Sequence, residues 1–266
     1  MSLLTDKIAM VTSSTRGIGK ACAVRLAQEG AKVYLAVRRL EAGQALAEEI
    51  AAAGGQAAVC YFDASKPETF RTCVEEVVAK EGRIDILVNN YGATDVRKDF
   101  DLLHTDAEDF LAIVNDNLRS VYDTCRAAVA SMVKTGGGSI VNIASVGGKY
   151  PDMYRISYGV AKASIIFLSQ NIATQYAHAG VRCNCILPGF IATDAAMGNM
   201  SQEFLDTFLK TVPMGRAGQP GDIADACLYL ASPLSSFVTG EALPVAGGFG
   251  MPSPMYSHYG DMKSKG

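Results

Sequence analysis

Tryptophan is absent from the 266 residues, and the three histidines, His104, His178 and His258, show none of the close spacing a metal site requires, so no metal is expected. Charge is sparse as well. Asp, Glu, Lys and Arg make up 19% of the chain, and 24 basic against 27 acidic residues leave a formal net charge of -3 with no basic block. Such a surface offers no footprint for phosphate backbones, which excludes nucleic acid as an expected partner. The N-terminus from Met1 to Lys7 runs straight into a short apolar strand, without a basic leader or a small-residue cleavage site, and a cytoplasmic location is the expectation. One long uncharged stretch, 163–181, carries Ser164, Ser169, Gln170, Asn171, Thr174 and Gln175. Its Ile165, Ile166, Leu168, Ile172 and Tyr176 recur at helical spacing on one face, so it reads as a buried amphipathic helix and no membrane partner is expected. The seven cysteines are odd in number, scattered, and set among apolar neighbours, the pattern of reduced core thiols and not of a disulfide framework.

What the chain does have is 49% apolar residues and 26 glycines, the balance of a packed globular protein of a size one core can serve. The pattern predicts a strand over 8–12, a glycine-rich turn, a helix to 29 ended by Gly30, a strand over 32–37 and a helix over 39–53. It continues with a strand over 57–62, a helix over 67–81, a strand over 84–88, a helix over 107–134 and a strand over 139–143. A long helix after Tyr154, a strand over 182–187, a helix near 223–230 and a strand near 241–245 complete it. Continuous apolar strands alternating with helices require a mostly parallel sheet covered on both faces, because a parallel crossover needs a helix-length connection. The expected fold is α/β: a doubly wound, Rossmann-like parallel sheet in a single domain spanning 1–266. Segment 190–218 and the tail 248–266 fall outside the alternation.

In such sheets ligands bind beyond the carboxyl ends of the strands. Ser13, Thr15, Arg16, Gly17, Ile18 and Gly19 form the turn from first strand to first helix, where backbone can approach a pyrophosphate at the positive helix end. The second strand normally ends in an acidic residue when the adenosine ribose carries a free 2′-hydroxyl; here it ends in Val37, Arg38 and Arg39. Arg38 with Arg16 can clamp a 2′-phosphate, so NADP(H) is expected over NAD(H). Arg39 either joins that clamp or faces solvent. Asp63, with Ala64 after it, is placed to accept from the adenine amino group, and Asn89 and Gly92 fall where the fourth strand meets the adenine ribose side.

Tyr158 and Lys162 are four apart, which stacks them on one helix face. A free tyrosine, with a pKa near ~10, is a poor acid–base group at neutral pH, and a neighbouring ammonium favours its phenolate. Ser145, thirteen residues before Tyr158 at the end of the fifth strand, can converge with them.

With Gly17 and Gly19, Asn89 to Gly92, Asn117, Ser145, Tyr158, Lys162, Pro188 and Gly189 in order, the chain resembles the short-chain dehydrogenase/reductase family over essentially its whole length. The resemblance implies that the Ser145 hydroxyl orients the substrate oxygen, Tyr158 transfers the proton, Lys162 holds the nicotinamide ribose and assists Tyr158, and Asn117 holds a water in the proton relay. It places Pro188, Gly189, Ile191 and Thr193 at the carboxamide and phosphates, and it implies a homotetramer with the tail at an intersubunit contact. Two departures stand out. Ser13 replaces the usual first glycine, and Tyr91 replaces the usual alanine, narrowing the space beside the nicotinamide end. Both are similar to the bacterial bile-acid hydroxysteroid dehydrogenases, the clostridial 7α group first and the 12α group near it, which implies a steroid, bile-acid substrate.

Independently, 190–214 carries Met197, Met200, Phe204, Leu205, Phe208, Leu209 and Val212, an apolar lid suited to a flat hydrophobic ligand. Met197, Met200 and Phe204, with Ser145 and Tyr158, are the expected substrate contacts. The alternative is that these residues only pack the lid onto the body. Rival functions are a 3-oxoacyl carrier-protein reductase, for which Arg119, Arg126 and Arg155 could form a basic docking surface, and a non-catalytic nucleotide sensor.

Overall fold

A computed structural model describes residues 2–198 and 201–251. Strands β1 (Ile8–Thr12), β2 (Lys32–Val37), β3 (Gln56–Tyr61), β4 (Ile86–Asn89), β5 (Gly138–Ile143), β6 (Val181–Pro188) and β7 (Ala242–Val245) form one parallel sheet in the order 3-2-1-4-5-6-7. The expected single doubly wound sheet is therefore present. β4 begins two residues later than the apolar run suggests. Asp85 turns its buried carboxylate to the Ile8 peptide N–H and to Lys7 and Arg83, so the ladder starts at Ile86.

Helices α1 (Gly17–Gln28) and α2 (Leu40–Ala52) cover one face of the sheet, and α3 (Glu68–Glu81), α4 (Ala107–Thr135) and α5 (Ile156–Tyr176) cover the other. Two short helices, α6 (Asp194–Met197) and α7 (Gln202–Leu209), lie between β6 and α8 (Pro220–Ala231), and α8 packs beside α1. Each main helix turns a stripe of apolar side chains to the sheet. On α4 these are Val121, Cys125, Ala128, Val129 and Met132, and the helix stops at Gly136, whose φ of 91° is open to glycine.

α5 differs from the expected one-sided helix. Ile165 and Ile172 are buried, yet Phe167 is 69% exposed and Val160 40%, because the helix is apolar on a second side. That side and α4 form an open groove of about 670 Å³ lined by Leu118, Tyr122, Val160, Phe167 and Leu168. All seven cysteines are buried and unpaired. Among the described residues no helix is long and apolar enough to cross a membrane.

Candidate active site

The carboxyl ends of β1, β2 and β4 open onto a cleft of about 640 Å³. It is lined by Ser13, Thr15, Arg16, Gly17 and Ile18 of the turn, by Arg38, Arg39, Asp63 and Ala64, and by Tyr91, Gly92 and Thr193. Ser13 takes up a left-handed conformation, φ 53°, so a serine carries the backbone shape for which glycine is the usual choice. Gly19 cannot be replaced at that turn: a Cβ there would stand 2.5 Å from the Ser13 carbonyl. Gly17 is restricted differently, by a left-handed φ of 53°, with Thr193 Cγ2 3.2 Å from where its Cβ would be.

α1 opens on Arg16, whose side chain makes no cap, so the first peptide N–H groups of the helix are left for a ligand at its positive end. The Ser14 hydroxyl, fully buried, has no partner among the described residues. Arg16, Arg38 and Arg39 are exposed, and none forms an ion pair among the described residues. Unpartnered peptide donors, close glycines and free guanidinium groups fit an anionic dinucleotide.

Asp63 is 6% exposed; the Ser65 peptide N–H, the Ser65 hydroxyl, the Tyr61 phenol and the nearby Arg38 hold its carboxyl below the usual carboxylate range against the cost of burial. An ionised carboxylate only accepts, which suits an amino group as its partner. Tyr91 is not at the far end of the cleft. Its ring lies 5.9 Å from Phe62 on the Arg38 and Asp63 side, where burial, aided by Asp116 and Asp63, pushes the phenol up.

Asn89 departs from its expected place. Its side chain is buried and binds Asn142, Cys125 and Thr124 under α4, because alternation along β4 turns it away from the cleft. Asn90, to which the sequence assigned no role of its own within the Asn89–Gly92 motif, lines the cleft and donates to the carbonyls of Thr12 and Ser13, tying β4 to the turn. Ile191 is likewise 6% exposed with its side chain in the core, and Gly189, held to Val245, lies against Ala246. Pro188 ends β6 opposite Val245.

The four candidate catalytic residues gather where β4 and β5 end. Ser145 follows β5 and its hydroxyl accepts from Gly147 N at 3.1 Å. Lys162 is 2% exposed, donates to the Ile143 carbonyl at 3.1 Å, and holds Nζ 5.5 Å from the Tyr158 ring centroid. Asn117, fully buried, binds both sides of the Ala93 peptide, accepting from its N–H at 3.1 Å and donating to its carbonyl at 2.7 Å. Gly92 makes the approach possible: a Cβ there would stand 2.7 Å from Lys162 Nζ and 3.3 Å from Asn117 Oδ1.

A run of aromatic rings begins at Tyr150, five residues after Ser145. Tyr150 meets Phe249 edge-on at 6.2 Å, Phe249 stacks on Phe208 at 5.5 Å, and Phe208 contacts Phe190 at 5.7 Å and Phe204 at 6.4 Å. Of the expected substrate contacts, Met197 is 43% and Phe204 54% exposed, while Met200 lies outside the described residues, as does the tail from 252 onward. On α7 Leu205, Phe208 and Leu209 are half-buried and Phe204 is exposed, so packing onto the body covers only part of its apolar side. Tyr150, Phe190 and Phe249 were not singled out by the sequence.

The family described as enoyl-(acyl carrier protein) reductase matches residues 12–250. A 7α-hydroxysteroid dehydrogenase of Clostridium sardiniense is 52% identical over 259 residues, 97% of this chain and 99% of that one. A 3-oxoacyl-[acyl-carrier-protein] reductase of Chlamydia muridarum is 38% identical over 93% of this chain and 98% of its own. Among solved structures, a 7α-hydroxysteroid dehydrogenase complexed with NADH and 7-oxo glycochenodeoxycholic acid superposes with a TM-score of 0.87 at 33% identity, covering 92% of this chain and 95% of that one. On this match of sequence and fold, the chain belongs to the short-chain dehydrogenase/reductase family of oxidoreductases, whose cofactor is a nicotinamide dinucleotide.

Proposed function

We propose that the protein is an NADP(H)-dependent hydroxysteroid dehydrogenase that interconverts a secondary alcohol and ketone on a bile acid, with the 7α position first and 12α as the alternative. The observation that carries this reading is a polar cluster, Ser145, Tyr158 and Lys162, and a run of aromatic rings from Tyr150 to Phe208 that the chain joins, Tyr150 N donating to the carbonyl of Val146 next to Ser145. A flat apolar ligand carrying one hydroxyl matches both. The 52% identity to a 7α enzyme and the steroid complex of the structural relative support the same substrate class.

A nicotinamide dinucleotide held at the cleft lined by Ser13, Arg16, Gly17 and Gly92 would supply the hydride chemistry. Ser145 holds the substrate oxygen by a hydrogen bond, and the Tyr158 phenolate takes the hydroxyl proton as the alcohol is oxidised, returning it in the reverse direction. Lys162 keeps positive charge beside that phenol and is within reach of the ribose; Asn117 anchors the water that passes the proton to solvent. Arg38 and Arg16 bind the 2′-phosphate by charge-assisted bonds, with Arg39 beside them, and Asp63 accepts from adenine. Pro188, Gly189, Ile191 and Thr193 contribute chiefly backbone toward the carboxamide and phosphates. Segment 190–218 acts as the substrate lid, with Met197, Met200 and Phe204 against the steroid. The groove between α4 and α5 supports assembly into a homo-oligomer, and a tetramer is the proposed state. The cytoplasm is the proposed compartment.

The carrier-protein reductase reading has a relative at 38% identity in its favour. Its basic docking surface is weak, because Arg119 pairs with Asp123 and Arg155 with Asp152. NADPH formation with cholate, chenodeoxycholate and deoxycholate, each supplied alone, tests the assignment. Chenodeoxycholate has the 7α but not the 12α hydroxyl, and deoxycholate the reverse. Turnover of cholate and chenodeoxycholate only is the expected result; cholate and deoxycholate only means 12α, all three means the shared 3α position, and none rejects the steroid reading.

A further inference from the structure

We propose that Asp99 is a positioning residue for Tyr158: its buried carboxylate closes the first turn of α5 from a distant loop and so sets Tyr158 in register with Asn117. The inference rests on the acid–base reading of Tyr158.

The opening peptide N–H groups of a helix have no intrahelical partners, and the side chain of the residue just before the helix ordinarily serves one of them. α5 is built differently. Arg155 precedes it in a left-handed conformation, φ 62°, and makes no such bond. Its guanidinium turns to Asp152 at 2.6 Å and lies 5.8 Å from the Tyr158 ring centroid. The three opening donors are met instead by residues 99 and 100. Ile156 N donates to the Phe100 carbonyl at 3.1 Å, Ser157 N to Asp99 Oδ1 at 2.8 Å, and Tyr158 N to Asp99 Oδ2 at 3.0 Å. Thr94 Oγ1 adds a further bond to Oδ2 at 2.8 Å.

Asp99 is 1% exposed, and no cation lies within ion-pair distance of it among the described residues. Burying a carboxylate this way is costly unless donors surround it, and here the peptide donors sit at the positive end of a helix. Stabilising the helix alone would need only a polar side chain at position 155, exposed and inexpensive. The acceptor comes instead from the loop after β4, and the same loop holds Asn117 through the Ala93 peptide. A continuous path therefore runs from the Asn117 amide through Ala93, Thr94 and Asp99 to the backbone of Tyr158. Misplacement of a reacting group by about 1 Å can cost about 10²-fold in rate, so this joint bears on turnover.

Asp99→Asn keeps the size of the side chain but turns one acceptor into a donor facing a peptide N–H. With purified enzyme, NADP and chenodeoxycholate, kcat is expected to fall about 10- to 100-fold. KM for steroid and Kd for NADPH should stay within about twofold, and the solvent deuterium isotope effect on kcat should rise. Thr94→Val, which removes only the outer bond, should lower kcat about threefold in the same pattern, and it decides alone if Asp99→Asn does not fold. Unchanged kcat in both variants, whatever their melting temperatures, overturns the inference, as does a parallel loss of kcat and cofactor affinity. Tyr158→Phe measured alongside separates the two levels. A working Tyr158→Phe defeats the acid–base reading, whereas a dead Tyr158→Phe with fully active Asp99 and Thr94 variants defeats only the positioning.

Discussion

Lys162 keeps an ammonium in the protein interior with one backbone carbonyl, Ile143 O, as its hydrogen-bond acceptor among the described residues. Burying a charge so thinly satisfied is expensive, and the expense is concentrated beside Tyr158 and the open space above Gly92. Removing the phenol oxygen in Tyr158→Phe should lower kcat by about 10²- to 10⁴-fold while NADPH still binds, as read by steady-state rates and a fluorescence titration. At the opposite end, Arg38→Asp should weaken NADPH about 10- to 100-fold, the worth of a charge-assisted bond, and leave NADH within a few-fold. Equal losses for both cofactors would remove Arg38 from the 2′-phosphate. The positions of Ser145, Tyr158 and Lys162 were legible because helical spacing and strand ends fix where their side chains can go. Asn89 was not, because a single step along a strand decides between cleft and core, and the same step hid Asn90.

Among the elements, α7 leaves Phe204 exposed, and its Phe208 meets Phe249, Phe190 and Phe204. Phe208→Ala should raise KM for the steroid about tenfold with NADPH affinity unchanged, since offset ring contacts are worth about 1 kcal/mol each and none reaches the cofactor turn. A rise in cofactor Kd of the same size would mean that the segment is a general brace. Phe204 and Phe208 were visible in the sequence as an i,i+4 pair. Tyr150 and Phe249 could not be, because they belong to irregular loops about 60 and 40 residues away along the chain, where no periodicity announces a contact. Asp99 was hidden for the same reason.

For the whole molecule, the alternation of strands and helices made the sheet readable almost to its boundaries, since apolar run length and crossover length leave few topologies. The second apolar side of α5 was misread. Periodicity reports that a residue is apolar, not whether its own sheet or another chain covers it. Phe167→Glu should therefore reduce the proposed tetramer to smaller species in sedimentation velocity without disturbing the far-UV spectrum. An unchanged sedimentation coefficient would place any subunit contact elsewhere.

The seven buried thiols give the protein a built-in set of timers. Cys22 and Cys227 lie on α1 and α8, Cys73 and Cys125 on α3 and α4, and Cys60, Cys183 and Cys185 within the sheet. A thiol sealed from solvent reacts with an aromatic disulfide reagent only when its element opens, so each labelling rate counts the openings of one part of the fold. Saturating cofactor should slow the Cys22 timer most, because Cys22 rides the helix that starts at the glycine-rich turn.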